Sequence, residues 1–128
     1  MSKTVINTAN APAPIGPYSQ AIKANGFVFI SGQVPMDPAT GTVITGSIKE
    51  ETAQVMKNIE AILKEAGISF DHIVKTTIFL SDMSLFADVN EVYGKSFHAA
   101  PPARETVAVK GLPRGVNVEI SVTAVETL

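Results

Sequence analysis

The sequence contains no cysteine, which excludes disulfides, thiolate nucleophiles and zinc–thiolate sites. It also lacks long apolar runs. Stretches such as Phe27–Ile30 fall far short of the roughly 20 residues that span a bilayer. Basic residues are not in excess, because ten Lys and Arg stand against twelve Asp and Glu, whereas nucleic-acid binding requires a basic surface. We therefore expect a cytoplasmic protein that binds neither membranes nor nucleic acids.

The chain contains enough apolar residues for one core. Its 128 residues, of which 45% are hydrophobic, fit a single domain over residues 1–128. The mean hydropathy, +0.23, is slightly positive for so short a chain. An interface between subunits would explain that value, because it buries apolar surface that a monomer leaves exposed.

Local signals in the first half predict a hairpin and a long helix. Residues 9–17 are rich in Pro and Gly and indicate an extended lead-in. Asn25-Gly26 separates Tyr18–Ala24 from Phe27–Ser31 and is typical of a two-residue hairpin turn. Ser47 and Glu50 have the spacing of a capping box and predict the start of a helix. Gly67 predicts the end of that helix.

The second half predicts three strands and one helix. Ile73–Leu80 is β-branched and aromatic, and Asp82 or Ser84 is suited to cap a helix after it. The closing strands are predicted at Glu105–Val109 and Val116–Val125.

The resulting fold class is α+β, with the order β-β-α-β-α-β-β and both helices on one face of a single sheet. In the last strand, apolar residues alternate with Asn117, Glu119, Ser121 and Thr123. This second face carries one charge, which is unusual for open solvent, so we expect other subunits to cover it.

Two residues stand out as candidates for chemistry. Arg104 follows Pro101-Pro102-Ala103, and its guanidinium matches a carboxylate, although a surface ion pair is the simpler explanation for an arginine. Glu119 is a lone carboxylate in mid-strand, which is either an exposed polar residue or a general base. We expect their strands to be neighbours, which would allow the two side chains to meet.

Other candidates are weaker when each is taken alone. Tyr18 follows a rigid Gly-Pro pair, and the amides of Ser31-Gly32 at a strand end are suited to an anion. Asn90 has the features of a surface helix residue. His72 and His98 have no partner at metal-ligand spacing, so no metal site is predicted.

Three motifs in order complete the pattern: Ile15-Gly16-Pro17-Tyr18-Ser19-Gln20, Ser31-Gly32-Gln33-Val34-Pro35, and Pro102-Ala103-Arg104 leading to Val118-Glu119-Ile120. On these residues, the chain resembles the RidA/YjgF (reactive intermediate deaminase) family over its whole length. The resemblance implies a chorismate-mutase-like fold and a homotrimer with a central barrel and sites at subunit clefts. It also implies hydrolysis of 2-imino acids, such as 2-iminobutanoate and 2-iminopropanoate, to 2-oxo acids and ammonia, without metal or cofactor.

The resemblance also implies roles for individual residues. Arg104 would bind the substrate carboxylate, Glu119 would hold the attacking water, and Tyr18 would lie in the catalytic site. The cleft would be lined by four further residues, namely Ser31, Gly32, Asn90 and Thr106.

Two positions depart from the family pattern, which commonly has a small residue and then a cysteine after the arginine. Glu105 and Thr106 stand there instead. Because neighbouring strand residues point to opposite faces, we expect Glu105 to point away from the ligand, while Thr106 offers its backbone N–H.

Three other functions compete with the deaminase. A regulatory protein of the same fold would bind 2-oxo acids through Arg104 without needing Glu119. A ribonuclease or translation inhibitor is disfavoured by the acidic charge balance. A hydrolase or lyase acting on another small amide or enamine acid is the third.

Overall fold

The protein is described by a computed structural model that covers residues 2–128, in which the order of elements is β-β-β-α-β-α-β-β. The helices are α1 (Ile48–Glu65) and α2 (Phe86–Gly94). The strands are β1 (Thr4–Ile6), β2 (Ala21–Ala24), β3 (Phe27–Gln33), β4 (Ile73–Leu80), β5 (Ala103–Ala108) and β6 (Val118–Val125). Strand β1 is an addition to the predicted order.

All six strands form one mixed sheet in the order β1-β2-β3-β6-β4-β5. The β4–β5 pair is parallel and the other pairs are antiparallel. Two helices pack on this sheet, as predicted, so the α+β fold class is confirmed. Strand β4 lies between β5 and β6, however, and the prediction that the strands of Arg104 and Glu119 are neighbours is wrong.

The turn and helix-boundary signals of the first half act as the sequence predicts, although only the Ser47 half of the predicted capping box forms among residues 2–128. Asn25 and Gly26 both have positive φ, 52° and 82°, which a two-residue hairpin turn of this kind requires. Helix α1 begins after Ser47, whose hydroxyl accepts a hydrogen bond from the Glu50 backbone N–H at 3.1 Å. It ends before Gly67, which has φ 78° and donates its N–H to the Lys64 carbonyl.

The core lies between the helices and one face of the sheet. Alternate residues of β6 are buried there, namely Val118, Ile120, Val122 and Ala124, against the buried stripe of α1. Neither helix of residues 2–128 combines the length and apolarity that crossing a membrane requires.

The opposite face of the sheet, here called the open face, carries no helix. It includes Glu119, Ser121 and Thr123 of β6, which are half-buried, and two phenylalanines of β3. Phe27 and Phe29 are 40% and 47% exposed, and their rings stack with centroids 5.8 Å apart. An exposed apolar cluster of this kind is typical of a surface that another molecule covers.

Candidate functional site

Arg104 lies on β5, on the face of the sheet that the helices cover. Its Nη1 donates a hydrogen bond of 2.6 Å to Oδ1 of Asn90, on α2. The guanidinium carbon lies 5.1 Å from the Tyr93 ring centroid and 5.6 Å from that of Phe86, a cation–π geometry. These four residues form what we call the arginine subsite. Since a guanidinium has five N–H donors, most remain available for a carboxylate.

Tyr93 fixes the floor of the arginine subsite. Its side chain is buried, and its hydroxyl is hydrogen-bonded to the Thr76 hydroxyl of β4 at 2.8 Å. Burial raises the pKa of the Tyr93 hydroxyl, so this group stays protonated and neutral at neutral pH. In the sequence, Tyr93 and Phe86 look like ordinary apolar residues of the second helix. Their i, i+7 spacing puts both on one helix face, and this spacing is the signal that identifies them.

Thr106 and Glu105 follow Arg104 on β5 but face opposite sides of the sheet. Thr106 lies on the same face as Arg104, and its hydroxyl oxygen is buried with no hydrogen-bond partner among residues 2–128. Glu105 faces the open side, where its carboxylate binds the Thr77 hydroxyl and, at 2.9 Å, the Lys75 ammonium. These two contacts lower the pKa of Glu105. The side chain of Glu105 points away from Arg104, as expected.

Glu119 lines a small cavity of about 70 Å³, which contains none of the residues of the arginine subsite. No ion pair or hydrogen bond engages its carboxylate among residues 2–128, and burial raises its pKa above the ordinary value for a glutamate. Tyr18 and Gly32 line the same cavity, together with Pro12, Ala13, Ile15, Gln20, Gln33, Val34, Met36, Pro113 and Arg114. This group is called the glutamate cavity below.

Gly32 makes room for the carboxylate of Glu119. A Cβ atom at position 32 would lie 2.8 Å from the carboxylate carbon of Glu119, and closer still to one of its oxygens. The neighbouring residue, Ser31, has a different task, because its hydroxyl donates to the Ser19 carbonyl at 2.6 Å. The two residues predicted together as an anion site therefore have different roles. Gly32 leaves space for the Glu119 carboxylate, and Ser31 links its strand to the segment that contains Ser19.

Two buried amide side chains hold the walls of the glutamate cavity. Gln20 accepts from the Thr8 N–H at 2.7 Å and donates to the carbonyl of Pro12 at 3.0 Å. Asn58, on α1, donates to the carbonyls of Val34 and Met36 at 3.1 and 3.0 Å. Neither residue is predicted from the sequence to support a site. Asn58 stands among the apolar residues of the buried helix face, and this position is the signal for its role, because a buried amide needs hydrogen-bond partners.

Replacing Asn58 with alanine is expected to lower the free energy of unfolding by roughly 1–3 kcal/mol, because the Met36 carbonyl loses a buried donor and the Val34 carbonyl keeps only the Met36 N–H. Denaturant unfolding at one fixed protein concentration measures this loss. Gln54→Ala is the matched control, since it removes only the partly exposed residue that donates to Asn58 and is expected to cost less than about 1 kcal/mol. If both variants lose the same free energy of unfolding, the hydrogen bonds from Asn58 to Val34 and Met36 do not stabilise the cavity wall.

The arginine subsite and the glutamate cavity lie on opposite faces of the sheet. Arg104 pairs in register with Thr76, on the helix face, whereas Glu119 pairs with Phe79, on the open face. One chain therefore does not present the guanidinium and the free carboxylate to the same small ligand. The structure brings Tyr18, Gly32 and Glu119 together in one group and Asn90 and Arg104 in another.

The histidines take no part in either group. His72 accepts the Ser69 N–H through Nδ1 at 3.2 Å and caps a short turn, and His98 is exposed. Residues 2–128 contain no cluster of His, Asp and Glu suited to a metal ion. A larger open groove, about 960 Å³, runs along α1 but contains none of the candidate residues.

The chain is similar in sequence and in structure to several known proteins. The family model described as Endoribonuclease L-PSP matches residues 8–126. A RutC family protein of Pyrococcus horikoshii is 53% identical over 122 residues, which cover 95% of this chain and 97% of the relative. The mouse 2-iminobutanoate/2-iminopropanoate deaminase is 48% identical over 97% of this chain and 92% of its own. The crystal structure of a Rid family protein from Yersinia pestis, 49% identical, superposes with a TM-score of 0.95 over 97% of this chain and 99% of that one.

Proposed function

This chain belongs to the RidA/YjgF family, and from that premise we propose that it is a deaminase that hydrolyses 2-imino acids to 2-oxo acids and ammonia. The observation that carries the proposal is the unpaired Glu119 carboxylate in a small cavity beside Tyr18 and Gly32. A carboxylate held there without a partner is suited to take a proton from water. The deaminase activity named for the mouse relative supports the same conclusion.

The reaction needs only water and a proton relay. Arg104 holds the substrate carboxylate through its free N–H donors, with its plane fixed by Asn90 and Tyr93. Glu119 accepts a proton from a water molecule as the oxygen attacks the imine carbon, and this proton passes to the imine nitrogen, which gives a neutral carbinolamine. Glu119 then takes the hydroxyl proton of the carbinolamine and delivers it to the amine nitrogen; the C=O bond forms as the C–N bond breaks, and ammonia leaves a 2-oxo acid. Such imines hydrolyse in water unaided, so positioning and proton transfer by one carboxylate account for catalysis.

We further propose that each active site is shared between two copies of the chain in a homotrimer. Two features support this assembly: the arginine subsite and the glutamate cavity lie on opposite faces of one chain, and the open face exposes Phe27 and Phe29. Packing the open faces together buries these rings. Because β5 is an edge strand of the sheet, Arg104 would lie near the border between neighbouring copies, where rotational symmetry allows it to face the glutamate cavity of the next copy.

The test generates imines in situ, with an amino-acid oxidase or a pyridoxal-dependent dehydratase, and follows 2-oxo acid formation. Addition of this protein is expected to accelerate 2-oxo acid release above the spontaneous rate. If several imines show no acceleration while 2-oxo acids still bind, the deaminase proposal fails and the protein is a 2-oxo acid sensor. A parallel incubation with RNA tests the ribonuclease activity that the family model's description names.

The pH dependence of kcat/KM should reveal Glu119 directly. Proton acceptance needs the carboxylate form, so the rate falls as pH drops through the pKa of this group. Because burial raises that pKa, the fall is expected at a higher pH than an exposed glutamate would give. Rates are corrected for the spontaneous hydrolysis at each pH. Glu119→Gln should abolish this acid limb, and an unchanged limb in that variant would assign it to another group.

A further inference from the structure

Arg114 brings a second cation to the glutamate cavity. It lies in the turn Pro113–Gly115, which precedes β6, and it lines the cavity together with Glu119. Its φ of 61° is in the left-handed region, which arginine adopts rarely, and Gly115 follows with φ 68°. A residue type that rarely takes this conformation therefore stands in the turn beside the cavity, and such positions are often functional.

The base of this turn is anchored to the core. Asn117 donates its backbone N–H and its Nδ2 to the two carboxylate oxygens of Glu51, at 3.2 and 2.9 Å, and Glu51 is only 5% exposed. The Ser81 hydroxyl donates to Oδ1 of Asn117 at 2.8 Å. Since these bonds hold the chain just after Arg114, the fold sets the backbone position of this exposed arginine beside the cavity.

The glutamate cavity presents an electrostatic problem for the proposed substrates. Glu119 is a carboxylate, and every 2-imino acid carries another, so the two repel as the substrate enters. In the shared site proposed above, Arg104 of a neighbouring copy binds the substrate carboxylate, and on the chain that carries Glu119 the cation at the cavity is Arg114. Within residues 2–128, Arg114 forms no salt bridge and no side-chain hydrogen bond, so its charge is available at the cavity.

We propose that Arg114 is a substrate-binding residue whose charge offsets that of Glu119 and so admits anionic substrates to the cavity. This inference rests on the proposed function, because it concerns the same substrates. It places the effect of Arg114 in substrate binding, while proton transfer stays with Glu119. Together with Arg104, the residue therefore strengthens the preference for imines that carry a carboxylate over imines that do not.

The test compares Arg114→Gln with Lys110→Gln, which removes the same charge from an exposed residue outside the cavity. For 2-iminobutanoate, Arg114→Gln is expected to raise KM about tenfold with little change in kcat, and Arg114→Lys is expected to restore most of the loss. An imine without a carboxylate, generated by an amine oxidase, should be hydrolysed equally by wild type and Arg114→Gln. For 2-iminobutanoate, high salt should reduce the difference in KM between wild type and Arg114→Gln, because salt screens the charge of Arg114.

The proposal is overturned if Arg114→Gln and Lys110→Gln behave alike, or if Arg114→Gln lowers kcat and leaves KM unchanged. Binding of 2-oxobutanoate, measured by calorimetry, separates this proposal from the deaminase proposal. A protein that turns over no imine but loses about tenfold in 2-oxobutanoate affinity on Arg114→Gln retains the role given to Arg114. Weaker binding in Arg104→Ala together with unchanged binding in Arg114→Gln rejects it.

Discussion

Replacing Gly32 with alanine is expected to lower kcat/KM for 2-imino acids by about a hundredfold without unfolding the protein. The added Cβ would occupy the space of the Glu119 carboxylate. That carboxylate ends a flexible side chain, so the side chain moves aside while the backbone stays in place. A displacement of about 1 Å in a positioned catalytic group can cost two orders of magnitude in rate.

Gly16→Ala is the matched control for this variant. Gly16 lies near the same cavity, but a Cβ there would meet only the Tyr18 ring at 3.6 Å, an ordinary van der Waals distance. Its activity should stay within a few-fold of wild type, while thermal unfolding shows both variants to be folded. A Gly32→Ala protein with full activity would mean that Glu119 need not occupy its observed position.

Mixing two inactive variants is expected to restore activity if each site is shared between copies. Arg104→Ala and Glu119→Gln should each lose about a hundredfold or more in kcat/KM. In trimers that assemble at random from equal amounts of both, about one quarter of the sites combine an intact Arg104 with an intact Glu119. Co-expressed and co-purified mixtures should therefore recover about a quarter of wild-type activity.

A second mixture provides the control. When wild type is combined equally with the double variant, sites built within one chain would leave about half of the activity, whereas shared sites leave about one quarter. Sedimentation analysis checks that all mixtures assemble equally. Failure of the two single variants to complement each other, with normal assembly, would reject the shared site and leave the separation of its two halves unexplained.

The elements that the sequence predicts well are those with local causes. Asn25-Gly26, Ser47 and Gly67 act through their own backbone geometry, and each lies at the boundary that the sequence predicts. Strand β1 has no such signal. It is three residues long, and it forms by pairing with β2 at the edge of the sheet.

The arrangement of the site was harder to predict because strand order is a tertiary property. The sequence separation of Arg104 and Glu119 does not reveal that β4 inserts between their strands. The two residues therefore belong to different faces, which the motifs alone do not disclose. Tyr93 and Asn58 are not identified as supporting residues for a related reason, since each looks like an ordinary helix residue until its hydrogen bond to a distant part of the sequence is known.

The unpaired carboxylate of Glu119 has a consequence for protein engineering. Burial raises its pKa in the folded chain, so between the unfolded and folded pKa values the folded state binds more protons, and stability falls as pH rises through that window. Above the window the destabilisation is complete, and Glu119→Gln should be more heat-resistant than wild type at neutral pH. A library of this chain selected only for heat resistance would therefore enrich inactive proteins.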